Sequence, residues 1–387
     1  MNWRCIFTYI VVGAGLLAIP PTGYTQDLPF ETKAAQAILV DAKSGIVFFE
    51  KNADDLIPPA SMSKLMTMTL VFEALQAGTL TLDQEIVVNE DAWRRGGSSS
   101  GGSTMYAELN SRVKLVDLMH GAMIQSANDA CIAIADAMAG SEAAFADRMT
   151  ARGRELGLQK ATFRNSSGLP DPEHLMSVRD LTILARHIIL DFPEYYKIYS
   201  EPEFTWNKIT QQNRNPLLKD YPGADGMKTG YTKEAGYGMV GSAVRDGRRL
   251  VMVIAGLKSI NERKEEAQKL LDWGFRQFRP IDVYAAGETV SKARVWGGTT
   301  RWVNLVTKDN VKLALSSQEQ EKIEVKLNYT GPLMAPVKAG QQVGSVRFLM
   351  DGKTIYETPV ETANSVDAVD SMWSRALDSV FIMILGS

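Results

Sequence analysis

Pro59-Ala60-Ser61-Met62-Ser63-Lys64 puts a hydroxyl and an amine one helical turn apart. Residues three apart on a helix share a face, so the spacing predicts that the Lys64 amine reaches the Ser61 oxygen. A neutral lysine there takes the serine proton and creates an alkoxide nucleophile without any histidine. The chain has three histidines, His120, His174 and His187, and none lies in a G-x-S-x-G or zinc-binding H-E-x-x-H setting. Acyl chemistry is therefore expected at Ser61 and Lys64, with no metal and no cofactor.

Two more motifs follow in order, Ser126-Ala127-Asn128 and Lys228-Thr229-Gly230. Ser126 suits relay of a proton to a leaving amine, and Asn128 suits holding a substrate amide or Lys64. Lys228 and the Thr229 hydroxyl suit a substrate carboxylate, and Gly230 lets a strand backbone approach a ligand closely. The Tyr231 N–H, paired with that of Ser61, would make an oxyanion hole. Singly these motifs are weak, because Ser111-Arg112-Val113-Lys114, Ser259-Ile260-Asn261 and Lys43-Ser44-Gly45 fit the same patterns. Context separates them. Ser61 starts an apolar helix after Pro58-Pro59 and Lys228 opens a strand, whereas Ser111 lies at an Asn-Ser turn and Lys43 in a hairpin turn. Helix capping remains the alternative reading of Ser61 and of 126–129. The chemistry also sets a requirement: free lysine titrates near pH ~10.4, so a base near neutrality needs its pKa lowered by about three units, or about 4 kcal/mol. Burial and a second cation, Lys228, are expected to supply that.

The elements that must position these groups are legible in outline. Apolar runs at 38–40 and 46–49 flank a Ser-Gly turn and predict a hairpin. A helix is expected from about Ser61, with Leu65, Met68, Thr69, Phe72 and Leu75 on one face and Gly78 as its stop. The stretch 94–103 is too rich in Gly and Ser for a regular element and reads as a mobile loop, a plain linker or a border to a site. Helical periodicity returns at 115–124 and 130–138. A strong hairpin signal surrounds Arg245-Asp246-Gly247-Arg248, and a helix over 261–275 is expected to close the domain against the sheet. The fold class expected is α+β, helices packed on an antiparallel sheet.

From about Pro280 the pattern changes to alternating strands, as in Ile323-Glu324-Val325-Lys326-Leu327, with turns at Gly331-Pro332 and Asp351-Gly352-Lys353. The expected division is an export signal over 1–25, a catalytic domain over 26–279, an all-β domain over 280–363 and an amphipathic helix over 364–387. Arg4 and the apolar run 6–19 give the signal its character. In the tail, Val366, Val369, Trp373, Ala376, Leu377, Val380, Phe381 and Ile384 recur at helical spacing, which suits a membrane interface, although the polar face is acidic. With 45% hydrophobic residues over 387, the chain can bury one large core and a smaller second one. Its net charge of −3 gives no reason to expect nucleic acid as a partner. Cys5 leaves with the signal, so Cys131 stands alone in an apolar helical setting and reads as a small hydrophobe.

With these residues in view, the chain resembles the low-molecular-mass penicillin-binding proteins that act as D-alanyl-D-alanine carboxypeptidases. The likeness rests on Pro59 to Thr67, on Gln125-Ser126-Ala127-Asn128-Asp129-Ala130, Asn213-Arg214-Asn215, Asp225 to Thr232 and Lys269 to Phe275. It implies a penicillin-binding/β-lactamase-like transpeptidase domain, then the small β domain and the terminal helix. It implies removal of the terminal D-alanine from peptidoglycan pentapeptides through a Ser61 acyl-enzyme, with β-lactam antibiotics as covalent inhibitors. It also implies a periplasmic enzyme, peripheral on the outer face of the cytoplasmic membrane through the C-terminal helix. Arg263 and Arg214 match arginines near the substrate carboxylate or framing the site. Tyr231 and Ser167 stand where several relatives carry His, a departure that bears on deacylation or pH profile. The competing readings are a serine β-lactamase, disfavoured by the lack of an E-x-x-L-N element between Asn128 and Lys228, and a non-catalytic peptidoglycan- or penicillin-binding protein.

Overall fold

The computed structural model describes residues 7–10 and 30–370. It divides into a unit over 28–276 and a second comprising 277–387 with 1–27.

In the first unit, β1 (Gln36–Asp41) and β2 (Val47–Lys51) form the expected hairpin. The Asp41 carboxylate accepts from the Ser44 N–H at 2.8 Å and the Ser44 hydroxyl at 2.9 Å. That Asx turn fixes the reversal. β3 (Ala224–Thr232), β4 (Gly236–Arg245) and β5 (Arg248–Leu257) complete an antiparallel sheet of order β2-β1-β5-β4-β3. The β4–β5 turn places Asp246 at φ 51° and Gly247 at φ 75°. Two left-handed residues are what a tight hairpin turn needs to match strand twist.

α1 (Lys64–Gln76) was expected to bury one face. Instead Leu65, Met66, Thr67, Met68, Thr69, Val71 and Phe72 are all buried. The helix runs through the middle of the domain against α3 (Asn128–Ala139), which α2 (Leu115–His120) precedes and packs on, α4 (Glu142–Glu155) and α5 (Val178–Asp191), so nearly every side of its first half meets protein. A helix apolar all round is a core helix. α6 (Ile260–Gln277) covers the sheet as expected: a Cβ on Gly274 would lie 2.4 Å from Leu39 Cδ2, so glycine permits the close approach. The stretch read as an irregular mobile loop contains a π turn over Ala92–Gly96 and a 3-10 turn over Ser98–Ser100. Local i→i+3 and wider bonds, such as Ser100 N–H to Gly97 O, hold it where side chains give nothing to pack.

In the second unit, strands Glu324–Tyr329, Gln342–Met350, Lys353–Thr362, Trp302–Val306 and Thr289–Trp296 pair in that antiparallel order, in keeping with the alternation seen in sequence. Phe7–Ile10 pairs with Glu324–Tyr329; the rest of the expected signal lies outside the described residues. The terminal helix does not begin at 364. Val366 is buried and bridges Val337, Ala368 bridges Gly298, and the Val369 N–H donates to Gly297 O. These residues satisfy their backbone groups on the β domain and so extend it. The remainder of the expected helix, 371–387, lies outside the described residues. No helix among the described residues is long and apolar enough to cross a membrane.

Candidate active site

The nucleophile candidate sits on a tight turn feeding α1. Ala60 takes φ 49°, a 3-10 turn spans Ala60–Ser63, and α1 starts at Lys64. Ser61 is partly exposed while its neighbours are buried. β3 passes directly beside this turn: a Cβ on Gly230 would lie 2.9 Å from Pro59 O and 3.2 Å from the Ala60 Cβ. Glycine at 230 is therefore a packing requirement of the strand against this turn, a reason separate from the ligand approach expected from the sequence. Lys228 lies within the strand rather than at its opening, because pairing with β4 begins at Ala224.

Lys64 is 1% exposed and its amine makes three hydrogen bonds. It donates to Ser61 Oγ at 2.8 Å, Asn128 Oδ1 at 2.8 Å and the Ser167 carbonyl at 2.5 Å. The last two partners only accept. When the amine is neutral, its two N–H bonds therefore go to Asn128 and Ser167, which leaves the lone pair for the Ser61 proton. Burial lowers the Lys64 pKa to about 8; Cys131 opposes this and Arg214 adds to it. The cation expected to do this was Lys228, but the mutual repulsion falls on Lys228 itself. Burial first, then Lys64 and Arg214, hold Lys228 well below the usual lysine range. Lys64 has three hydrogen-bond acceptors and Lys228, among the described residues, has the Thr229 carbonyl at 3.1 Å. Two buried amines in one site each disfavour the charge of the other.

Ser126 is held at φ 69°, and its buried hydroxyl has no hydrogen-bond partner among the described residues. Asn128 begins α3 and holds Lys64, one of the two roles its chemistry allowed. Thr229 is buried beside Lys228. Arg263 is buried too, pushed down to about 10 by burial, with its guanidinium 5.6 Å from the Tyr237 ring centroid and its Nε unpartnered. Arg214 meets Gln125 Oε1 at 3.4 Å. Tyr231 is 53% exposed and stacks on Tyr237 with ring centroids 4.3 Å apart. Among the described residues, Lys64, Lys228, Arg214 and Arg263 have no carboxylate ion pair. The Arg214 and Arg263 guanidiniums beside the Lys64 and Lys228 amines give the site a positive field that suits an anion. The decoy motif differs sharply: Lys114 is exposed and paired to Asp83.

Several positioning residues were not read from sequence. Asn165 Oδ1 accepts from the N–H groups of Ser167, Gly168 and Leu169, and so delivers the Ser167 carbonyl to Lys64. The Asn165-Ser166-Ser167-Gly168 stretch carries an Asx-turn signal that would have found this loop. Asp129, fully buried, accepts from the Thr104 hydroxyl at 2.6 Å and from the Met105, Ala107 and Ala130 N–H groups. Burial raises its pKa despite those donors. It pins the 103–107 segment to the start of α3. Glycines carry the glycine-rich turn past the same place: a Cβ on Gly96 would lie 2.3 Å from the Asp129 nitrogen. The stretch therefore borders the site. Cys131 is buried and its thiol is pushed up to about 11, which fits the reading of an inert small hydrophobe.

A family profile described as D-alanyl-D-alanine carboxypeptidase matches residues 22–259, and one described as penicillin-binding protein 5, C-terminal domain, matches 278–368. The D-alanyl-D-alanine carboxypeptidase DacC of Escherichia coli (strain K12) is 38% identical over 92% of this chain and 90% of its own length. DacD of the same organism is 37% identical over 90% of this chain and 91% of its own. Penicillin-binding protein 5 from Haemophilus influenzae superposes with a TM-score of 0.78 at 35% identity, covering 88% of this chain and 99% of that one. Penicillin-binding protein D2 from Listeria monocytogenes, in its ampicillin-bound form, superposes with a TM-score of 0.58 at 31% identity, covering 64% of this chain and all of that one (100%).

Proposed function

The chain belongs to the D-alanyl-D-alanine carboxypeptidase family, and from that premise we propose that Ser61, Lys64 and Ser126 are the catalytic residues of this hydrolase. Asn128, Lys228, Thr229, Gly230, Tyr231, Arg263 and Arg214 form its substrate site. The observation that carries the assignment is the Lys64 amine, buried, lowered to about 8 and bonded at 2.8 Å to Ser61 Oγ.

The reaction follows from that geometry. Lys64 takes the Ser61 proton as Oγ attacks the carbonyl carbon of the penultimate D-alanine. The N–H groups of Ser61 and Tyr231 hold the resulting oxyanion. Collapse breaks the C–N bond, and Ser126, whose hydroxyl has no partner among the described residues, passes a proton from Lys64 to the departing amine. Water then attacks the ester with Lys64 again as base, and the proton returns to Ser61 Oγ. The unpaired cations bind the terminal carboxylate. An anion beside Lys228 offsets the repulsion from Lys64 and restores its charge. A β-lactam presents a carboxylate and a reactive amide to the same groups, so penicillins acylate Ser61; the ampicillin-bound relative supports this.

The substrate is the peptidoglycan pentapeptide ending in D-Ala-D-Ala, met outside the cytoplasmic membrane. The export-signal pattern of 1–25 supports that location. Trp373, Leu377, Val380, Phe381 and Ile384 at helical spacing support a tail that lies on the membrane. Release of D-alanine from such a peptide by the parent, and none by Ser61→Ala, tests the reaction; retention of membrane association after deletion of 371–387 would overturn the tail assignment.

A further inference from the structure

Thr67 lies one turn beyond Lys64 on α1, and the two side chains grip consecutive carbonyls of one loop. The Thr67 hydroxyl donates to Ser166 O at 2.6 Å, as the Lys64 amine donates to Ser167 O. Ser166 itself is held from its other side by Glu142. Its Oε1 accepts from the Ser166 N–H at 2.9 Å and the Ser166 hydroxyl at 2.6 Å. Its Oε2 bonds Arg95 Nη1 at 2.8 Å. Glu142 is buried, so this carboxylate is compensated by those donors rather than by water. Arg95 belongs to the π turn over Ala92–Gly96, whose Gly96 packs on the Asn128–Asp129 backbone.

One carboxylate therefore joins the two segments that supply the Lys64 acceptors: 165–169, which carries the Ser167 carbonyl, and the turn behind Asn128. We infer that Glu142 and Thr67 are positioning residues for the reaction, which fix Ser166 and so the adjacent Ser167 carbonyl, and through it the direction of the Lys64 lone pair. The inference rests on Lys64 being the base. A displaced Ser167 carbonyl frees one amine hydrogen, and the lone pair then no longer has to face Ser61. Misalignment of a reacting pair by an ångström costs rate rather than affinity.

Lys64 is faced by Cys131 and Asp129 from α3, Glu142 from α4, Lys228 from β3, and Arg214, with His174 also in its field. Glu142→Gln keeps the shape and removes a negative charge that favours the protonated amine, so the acid limb of the acylation profile moves to lower pH. Acylation of the full chain by a fluorescent penicillin should slow about tenfold or more in Glu142→Gln and Thr67→Val while reversible penicillin affinity stays put. Thr67→Ser, which keeps the hydroxyl, should recover the parent rate. Unchanged acylation rate and pH profile in folded Glu142→Gln would overturn the inference. If that variant does not fold, parent-like acylation in Thr67→Val would do the same. Labelling that persists in Ser61→Ala would instead refute the assignment of the nucleophile, a separate outcome.

Discussion

The Lys64 amine and the Asn128 amide oxygen lie 2.8 Å apart, although 64 positions separate them in the chain. Each stands at the start of its own helix, α1 and α3. The pairing directs the amine: Asn128 and Ser167 occupy two directions around the nitrogen, and Ser61 receives the third. A lysine placed this way needs no histidine and no acidic partner.

Its pH dependence follows. Acylation requires the neutral amine, and Lys64 titrates at about 8. The rate of acylation by a fluorescent penicillin should rise with pH and level off above about 8. A rate flat from acid to alkaline pH would contradict the assigned base.

Stability should vary in the same range with a definite sign. The folded pKa of Lys64, about 8, is below the ordinary 10.5, so the unfolded chain holds the extra proton between those values. The contribution of Lys64 to stability is fully present above 10.5 and is lost as pH falls through 8, a change of about 3 kcal/mol. Relative to Lys64→Met, the parent should gain stability over that window in denaturant melts.

Lys228→Met separates function from stability. Lys228 is buried with one hydrogen bond and no ion pair among the described residues, so Met replaces a poorly satisfied buried amine and the variant should melt at higher temperature. Turnover of a D-Ala-D-Ala peptide should nevertheless fall about a hundredfold or more, because a buried charge pair with the substrate carboxylate is lost. Lower melting temperature with normal turnover would contradict the site as drawn.

Much of this was legible in sequence because it is local. Ser61 and Lys64 share a turn, the 43–45 and 245–248 reversals carry their own turn chemistry, and 261–275 shows its helical period. What was not legible depends on partners far apart in the chain. Nothing near Glu142 announces Arg95 or Ser166, and nothing in the α1 pattern says that its second face meets α3 and α4. The identity of the second cation acting on Lys64 failed for the same reason: Arg214, far off in the chain, acts on Lys64, while Lys228 is itself lowered by burial and by Lys64. The tail was misread at its start because Val366, which fits a helical spacing, instead bridges Val337.

Gly230→Ala tests the contact between β3 and the Ser61 turn. The added Cβ would meet Pro59 O at 2.9 Å and Met62 Cγ at 3.1 Å. The strand must shift away from the nucleophile, and acylation should slow about a hundredfold with the melting temperature changed little.

Asp129→Asn replaces a carboxylate that accepts four hydrogen bonds at the base of α3. An amide offers one acceptor oxygen, so buried donors are left unpaired. The expected loss is about 1–3 kcal/mol in a denaturant melt, with slower acylation because Asn128 is no longer held.

The central claim, that Ser61 is the nucleophile activated by Lys64, is tested most directly by mass analysis of the protein after exposure to penicillin. The parent should carry one covalent adduct, on the peptide containing Ser61, and should release D-alanine from a peptide ending in D-Ala-D-Ala. Ser61→Ala should show neither. An adduct on another residue, or D-alanine release that survives Ser61→Ala, would contradict it.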